Sequence, residues 1–348
     1  MYVVDKNEKL LNIAKERYSI PDERCFTDLQ DVLDIPEIDA VHLVTPPATH
    51  APFSVRVLNA GKHCGCTIPM GMSIQELNDI IAARKASGKN YMFMETTIFQ
   101  REFLYIQELY KKGEFGRLQY MTCAHYQDME GWPEYWEGFP PLMHPTHAVA
   151  PCLMLAGHLP DKVYARGSGK IRKELADKYG CPFAFESAFI SLQDSDVTIE
   201  MERFLYGVAR NYSECFRVYG ENESFEWQQL SEENPVLFTR TGEFEKAEDI
   251  LDEDSEKSSR GQKLQKNESR SRIMHTFFRR KSHPSPPTQY ITMRTPISPL
   301  PRVGVTVVPI HTLYMNSSVP FWKNANLLSM TSWALTGQVP ESVRTNPL

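Results

Sequence analysis

Several things are missing from this chain of 348 residues, and each absence narrows what it can be. No apolar run approaches the roughly 20 residues that a membrane-crossing helix needs, and no charged-then-apolar leader opens the chain, so a cytoplasmic protein is expected. Positive charge is not in surplus. The formal net charge is −6, which gives no general attraction to nucleic acid or to an anionic membrane. The seven cysteines (25, 64, 66, 123, 152, 181 and 215) are scattered and odd in number, which argues against a disulfide framework. Cys64 and Cys66 form a C-x-C, but no second ligand pair stands at matched spacing, so no metal is expected and buried reduced thiols are. The glycine-rich turn G-x-G-x-x-G is found nowhere. What is present is ordinary for a globular chain of about two domains: 41% hydrophobic and 24% charged residues.

Up to Glu95 the pattern alternates strand and helix. YVVD (2–5) is a short apolar strand ending in Asp5, and KNEKLLNIAKERY is a helix with Leu10, Leu11 and Ala14 on one face. AVHLV (40–44) is the continuous apolar run of a buried parallel strand, stopped by Pro46 and Pro47. APFSVRVLNAGK follows as a helix with Gly61 at its C-terminal end. HCGCTI is another buried strand, ended by Pro69. Ser73 and Glu76 have the spacing of a capping box for the helix that runs to Lys89. NYMFME closes this half. Strands alternating with helices predict a parallel α/β sheet of Rossmann type. An acidic residue ending the second strand of such a sheet holds ribose hydroxyls, and the first strand with its phosphate turn belongs about 20 residues upstream. Asp5 fits the acid. The first strand and turn have no counterpart, so the predicted sheet is incomplete, with an unpaired edge and an exposed apolar face where that strand would pair.

After Glu95 the pattern changes. A helix (REFLYIQELYKKGEFG), a long strand (RLQYMTCAHYQ), an aromatic and proline-rich loop (GWPEYWEGFPPLMHPTH), a short helix, and strand-like runs at 161–170, 184–193, 197–206 and 216–227 predict an α+β domain with an open, largely antiparallel sheet. Domains are expected at 1–97 and 98–245. From about Glu243 the chain is charge-rich and then rich in Pro, Ser and Thr, so 246–348 reads as a poorly ordered tail. The basic run Arg270–Lys281 lacks interleaved aromatics and does not read as a nucleic-acid site.

The segments VVD (3–5), VHLVTPPATH (41–50), AGKHCGCTIPM (60–70), METTIFQREFLYIQELYKKGEFGRLQ (94–119) and HPTHAVAPCLML (144–155) together resemble the Gfo/Idh/MocA oxidoreductases over residues 1–245. The resemblance implies a Rossmann domain that binds NAD or NADP, a sheet domain for a sugar or polyol substrate, and a homo-oligomer through that sheet. It implies a dehydrogenase acting on CH–OH groups. A second branch of the same fold, the NAD-using glycosidases, stands beside it, and a non-functional truncated product is the third alternative.

Three departures from the family pattern matter. The phosphate turn is missing, so dinucleotide affinity should fall. The family's E-K-P is Thr67-Ile68-Pro69, and Ile68 cannot move a proton. The family's later glycine-rich and W-T-x-x-G-I-C-A-H-like stretches are missing in this frame. Back-translation with each codon's third base taken as first lets Arg302–Pro309 read GGGHGGS, Ser332–Thr345 read MGTDWTGAGICAH and Arg270–His275 read VPDYA. Residues from about 261 onward are therefore expected to be out of frame, which sequencing the coding DNA tests.

The candidate residues follow from position and resemblance. Asp5, Thr45, Pro46, Pro47, His50, Thr67, Pro69 and Glu95 are expected around the cofactor, with Asp5 favouring NAD over NADP because it disfavours a 2′-phosphate. His147, with His144 three residues earlier, is expected to serve as general acid/base, the i, i+3 spacing placing both on one side of a helix start. Gln127, Trp132 and Tyr135 are expected to contact substrate, an amide for hydroxyls and aromatic faces for the apolar faces of a sugar ring. Asp5 as a helix cap, paired structural histidines and ordinary aromatic packing are the plain alternatives.

Overall fold

The computed structural model describes residues 1–230, 232–242, 264–267 and 305–307. The expected poorly ordered tail and the basic run lie outside these residues, apart from two short strands. The chain divides into two units.

The first unit contains Met1–Glu95, joined by Leu142–Thr146 and by one distant strand. Its elements are β1 (Tyr2–Val4), α1 (Glu8–Tyr18), β2 (Cys25–Phe26), α2 (Leu29–Leu33), β3 (Ala40–Leu43), α3 (Pro47–Asn59), β4 (His63–Cys66), α4 (Ile74–Ser87) and β5 (Tyr91–Phe93). Helix boundaries follow local chemistry. Asn7 caps α1 by accepting from the Lys9 N–H (3.1 Å). Pro47 opens α3 at its first position, where a missing N–H costs nothing. Gly61 takes φ 72° just past α3, and the Lys62 N–H returns to the Val57 carbonyl (3.2 Å), closing the helix as Gly-terminated helices do. The Ser73–Glu76 capping box is present in both directions. Val3, Leu11, Ala14 and Ile20 bury the face of α1 against β1.

The second unit contains α5 (Arg101–Lys111), β6 (Leu118–Tyr126), α6 (Thr146–Ala156), β7 (Pro160–Lys170), α7 (Lys173–Tyr179), β8 (Phe183–Leu192), β9 (Thr198–Phe204), β10 (Ser213–Gly220), β11 (Glu223–Glu226), β12 (Val236–Arg240) and β13 (Leu264–Asn267). The strands form one sheet in the order β13-β12-β11-β10-β6-β9-β8-β7. Every adjacent pair is antiparallel except β6 with β9. The largely antiparallel α+β half expected from the sequence is therefore present. Phe103, Ile106 and Leu109, at i, i+3 and i+6, give α5 its buried face, and Phe103 meets Phe216 of β10 edge-on at 6.2 Å.

The first sheet has the order β2-β1-β14-β3-β4-β5, where β14 is Val305–Val307. This corrects the expected open edge. The slot between β1 and β3 is filled, and β14 runs antiparallel to both neighbours in an otherwise parallel sheet. Its register sets Val305 opposite Val4 and Leu43, and Val307 opposite Tyr2. The triplet Val-Thr-Val is β-branched throughout, the composition a strand favours. The sequence expectation missed it because a three-residue strand has no periodicity to read.

Candidate functional site

In the first unit, β1, β3, β4 and β5 all end on one edge of the sheet, the edge where open α/β sheets bind ligands. Asp5 follows β1, is 9% exposed, and accepts from the Asn7 N–H (2.8 Å). Its carboxylate thus has a structural partner at the mouth of α1. At the end of β3, Thr45 and exposed Pro46 lead into buried Pro47. The Thr45 and Thr49 hydroxyls bond each other at 2.7 Å.

His50, one turn into α3 and 1% exposed, ties this edge together. Its Nδ1 lies 2.5 Å from the Pro69 carbonyl and its Nε2 2.7 Å from the Thr45 carbonyl. Thr67 Oγ1 is 3.4 Å from Nε2 and donates to the Leu43 carbonyl (3.3 Å). The ring therefore joins the end of β3 to the end of β4. Carbonyls only accept, so the arrangement satisfies both contacts when both ring nitrogens carry protons. His50 is thus a brace between the two loops. Glu95, fully buried, lies two residues beyond the end of β5. Arg101 pairs with its neighbour Glu102 (2.7 Å).

The residues at this edge fit parts of a dinucleotide. Asp5 follows the strand at whose end an acidic residue holds ribose hydroxyls in sheets of this type, and the turns at 45–47 and 67–69 follow parallel strands on the same edge, with Pro46 exposed. The pyrophosphate is different. It needs a strand that runs into a helix N-terminus at this edge. β14 enters the sheet here and leaves at the opposite edge, so it cannot present that terminus. The described residues of the slot offer no phosphate cradle.

In the second unit, the sequence-predicted His147 is the second residue of α6 and keeps 14% side-chain exposure. His144 falls before the helix, which begins at Thr146, and belongs to the first unit. His144 thus stands outside the helix, and Pro145 lies between it and the helix start. Gln127 accepts from the Arg203 guanidinium (3.3 Å). Trp132 and Tyr135 are half-buried and lean on Trp136, at 6.5 and 5.9 Å between ring centroids. Trp136 is itself buried against Phe139, and the Tyr206 hydroxyl reaches the Trp136 and Phe139 carbonyls. This aromatic loop is at least as much a packed hub as a binding face.

The main polar feature of this unit was missed by sequence reasoning. Across four neighbouring strands, cross-strand register aligns Glu186, Arg203, His125 and Glu214 in one row. On all four of these strands the positions two and four residues away are apolar and buried: Ala188 and Ile190, Met121 and Cys123, Ile199 and Met201, Phe216 and Val218. With side chains alternating at period two, each row residue lies on the core face. Arg203 is fully buried and donates to the His125 carbonyl (3.1 Å). Burial pushes its guanidinium down to about 9, while Tyr212 and Glu214 hold it up, so it stays a cation at neutral pH. Glu214 Oε1 is 3.8 Å from His147 Nε2 and 4.0 Å from His125 Nε2. The His125 ring meets those of His147 and Tyr212 edge-on at 5.1 and 5.3 Å. The available signal was a polar residue at the end of an apolar alternation on each strand. Among the described residues no group of three His, Cys, Asp or Glu side chains could hold a metal ion.

With both sites described, comparison with known proteins bears on the first. Residues 1–95 match the model of the oxidoreductase family with NAD-binding Rossmann fold, Gfo/Idh/MocA. Over that stretch the chain is similar to the NAD-binding domain of this family. A glycosyl hydrolase family 109 protein of Shewanella sp. strain W3-18-1 is 27% identical over 166 residues, 43% of this chain and 35% of that protein. The α-N-acetylgalactosaminidase of Shewanella oneidensis is 27% identical over 157 residues, 40% of this chain and 34% of its own. The chain thus spans about a third of the length of these curated relatives. Among solved structures, the aldose-aldose oxidoreductase of Caulobacter crescentus, complexed with glycerol, aligns with a TM-score of 0.58 at 22% identity, covering 69% of this chain and 72% of that one. The scyllo-inositol dehydrogenase of Lactobacillus casei with bound NAD(H) and scyllo-inositol aligns with a TM-score of 0.56 at 20% identity, covering 66% and 68%. These likenesses establish the two-part fold. No helix among the described residues is long and apolar enough to cross a membrane.

Proposed function

We propose that this chain is a Gfo/Idh/MocA-type NAD(P)-dependent oxidoreductase acting on a sugar or polyol, with dinucleotide affinity weakened in this form. The observation that carries the proposal is the sheet edge where β1, β3 and β4 end in Asp5, Thr45–Pro46 and Thr67–Pro69, within the span that matches the NAD-binding family model. Asp5 would hold the adenosine ribose, and it favours NAD because a 2′-phosphate beside a carboxylate is repelled. When bound, the cofactor would supply the hydride acceptor for oxidation of a substrate carbinol carbon. The chain's own work is binding, orientation and proton handling. Ile68 has no proton to give, so the substrate hydroxyl proton goes to His147, whose imidazole suits that task near neutral pH. Gln127, Trp132 and Tyr135 remain the proposed substrate contacts, with His144 a secondary proton carrier. Assembly into homo-oligomers through the second sheet and a cytoplasmic location complete the proposal.

Isothermal titration with NAD+ and NADP+ tests it. Binding in the tens to hundreds of micromolar, tighter for NAD+, is expected, and no binding of either at millimolar concentration overturns it. The curated relatives favour a second reading, an NAD-dependent glycosidase. Release of aryl alcohol from an aryl N-acetylgalactosaminide without accumulation of NADH would select it over net dehydrogenation of free sugars.

A further inference from the structure

Glu214 gathers more polar side chains than any mechanism so far requires. The carboxylate is 9% exposed. Its Oε2 accepts from the Gln100 side-chain amide (3.0 Å) and its Oε1 from the Tyr212 phenol. The same Oε1 faces the Nε2 atoms of both His147 and His125. A buried carboxylate is costly unless donors hold it, and hydrogen bonds to the charged form keep it charged. Gln100 and Tyr212 are such donors, and they arrive from different parts of the unit, which fixes the carboxylate in position.

We propose that Glu214 is the positioning residue for His147, holding its imidazole by charge so that it can take and keep the proton of a substrate hydroxyl. The inference rests on the oxidoreductase reading for the identity of that proton, but the pairing itself does not. Facing His147 are Glu214 on β10 and His125 on β6, edge-on to its ring, and Tyr212 ahead of β10 meets both of these. Behind His125 lies the Arg203 cation on β9, which Glu214 also attracts. The carboxylate is a negative group at ion-pair distance from His147. An opposite charge within about 4–6 Å favours the protonated imidazole. When a hydroxyl gives up its proton, the charge appearing on the ring is met by a partner already in place, with no rearrangement needed.

The test is an NMR titration of histidine ring protons in the full chain, with His147→Asn identifying the His147 signal. In Glu214→Gln, which keeps the shape and the hydrogen-bonding capacity but removes the charge, the His147 midpoint is expected about one pH unit lower. An unchanged midpoint in a folded variant overturns the proposal. If Glu214→Gln does not fold, Tyr212→Phe is measured in its place. Losing the phenol donor makes the carboxylate a stronger partner, so the midpoint rises, and no movement again overturns the proposal. A purely structural Glu214 would move neither midpoint. The dinucleotide titration does not involve Glu214, so failure of the oxidoreductase reading and failure of this pairing show in separate experiments.

Discussion

His42 shows how a single side chain makes the molecule sensitive to acid. It sits on β3 opposite Thr306, and its Nε2 has no partner among the described residues. Burial pushes its pKa below the ordinary 6.5. The unfolded chain therefore takes up a proton that the folded chain refuses, and stability present above pH 6.5 is lost as the pH falls below it. Urea midpoints at pH 7 and pH 5.5 should differ less in His42→Asn than in the wild type. An equal difference would mean that His42 carries none of the acid sensitivity. The thiols act at the other end of the scale. Burial pushes Cys66 up to about 12 and raises Cys64 as well. Unfolded thiols ionise near pH 8.5, so the folded state retains protons there, and the contribution present below pH 8.5 fades as the pH rises toward 12. A thiol reagent at pH 8 should leave Cys64 and Cys66 unmodified in the native protein and reach them in denaturant. Rapid native labelling at either site, read by mass spectrometry, would contradict this.

At the scale of elements, local chemistry and long-range pairing divide the fold between them. The α4 capping box was legible because all its information lies in four consecutive residues. Ser73→Ala should lower stability by about 1 kcal/mol, measured as a shift in denaturant midpoint. The parallel strands were legible as apolar runs bounded by Pro46 and Pro69. β2, α7 and β12 were not predicted, being short and without a strong period. The Glu186–Arg203–His125–Glu214 row was out of reach for a different reason. Each residue is an unremarkable polar position on its own strand, and only register brings the four into line. The predicted strand began at Phe216, so Glu214 was left outside it. β14 was the furthest from view, since nothing local ties Val305 to Leu43. Thr306→Pro removes a backbone donor from the middle of that strand. It should destabilise the first unit by about 2 kcal/mol, and an unchanged midpoint would mean that β14 contributes little to the sheet.

For the whole molecule, the two units have different architectures and separate sheets. The opening stretch of the first unit ends at Glu95, and the second unit begins at Thr96. The return of Leu142–Thr146 and β14 to the first unit has no sequence signal. Calorimetry should resolve two unfolding steps, with Ser73→Ala lowering only the one that belongs to the first unit. A single step displaced as a whole would show that the units unfold together.

The reversed strand has a consequence for motion as well as for ligands. In most open sheets the innermost ladder is the last to release its amide hydrogens. Here the innermost ladder is three residues long and is recruited from about 260 positions away, at a loop-closure cost no neighbouring strand bears. Breathing should therefore begin at the seam between β1 and β3. Deuterium would enter at Val4 and Leu43 before it enters the flanking pairs, so that the sheet opens from its middle outward.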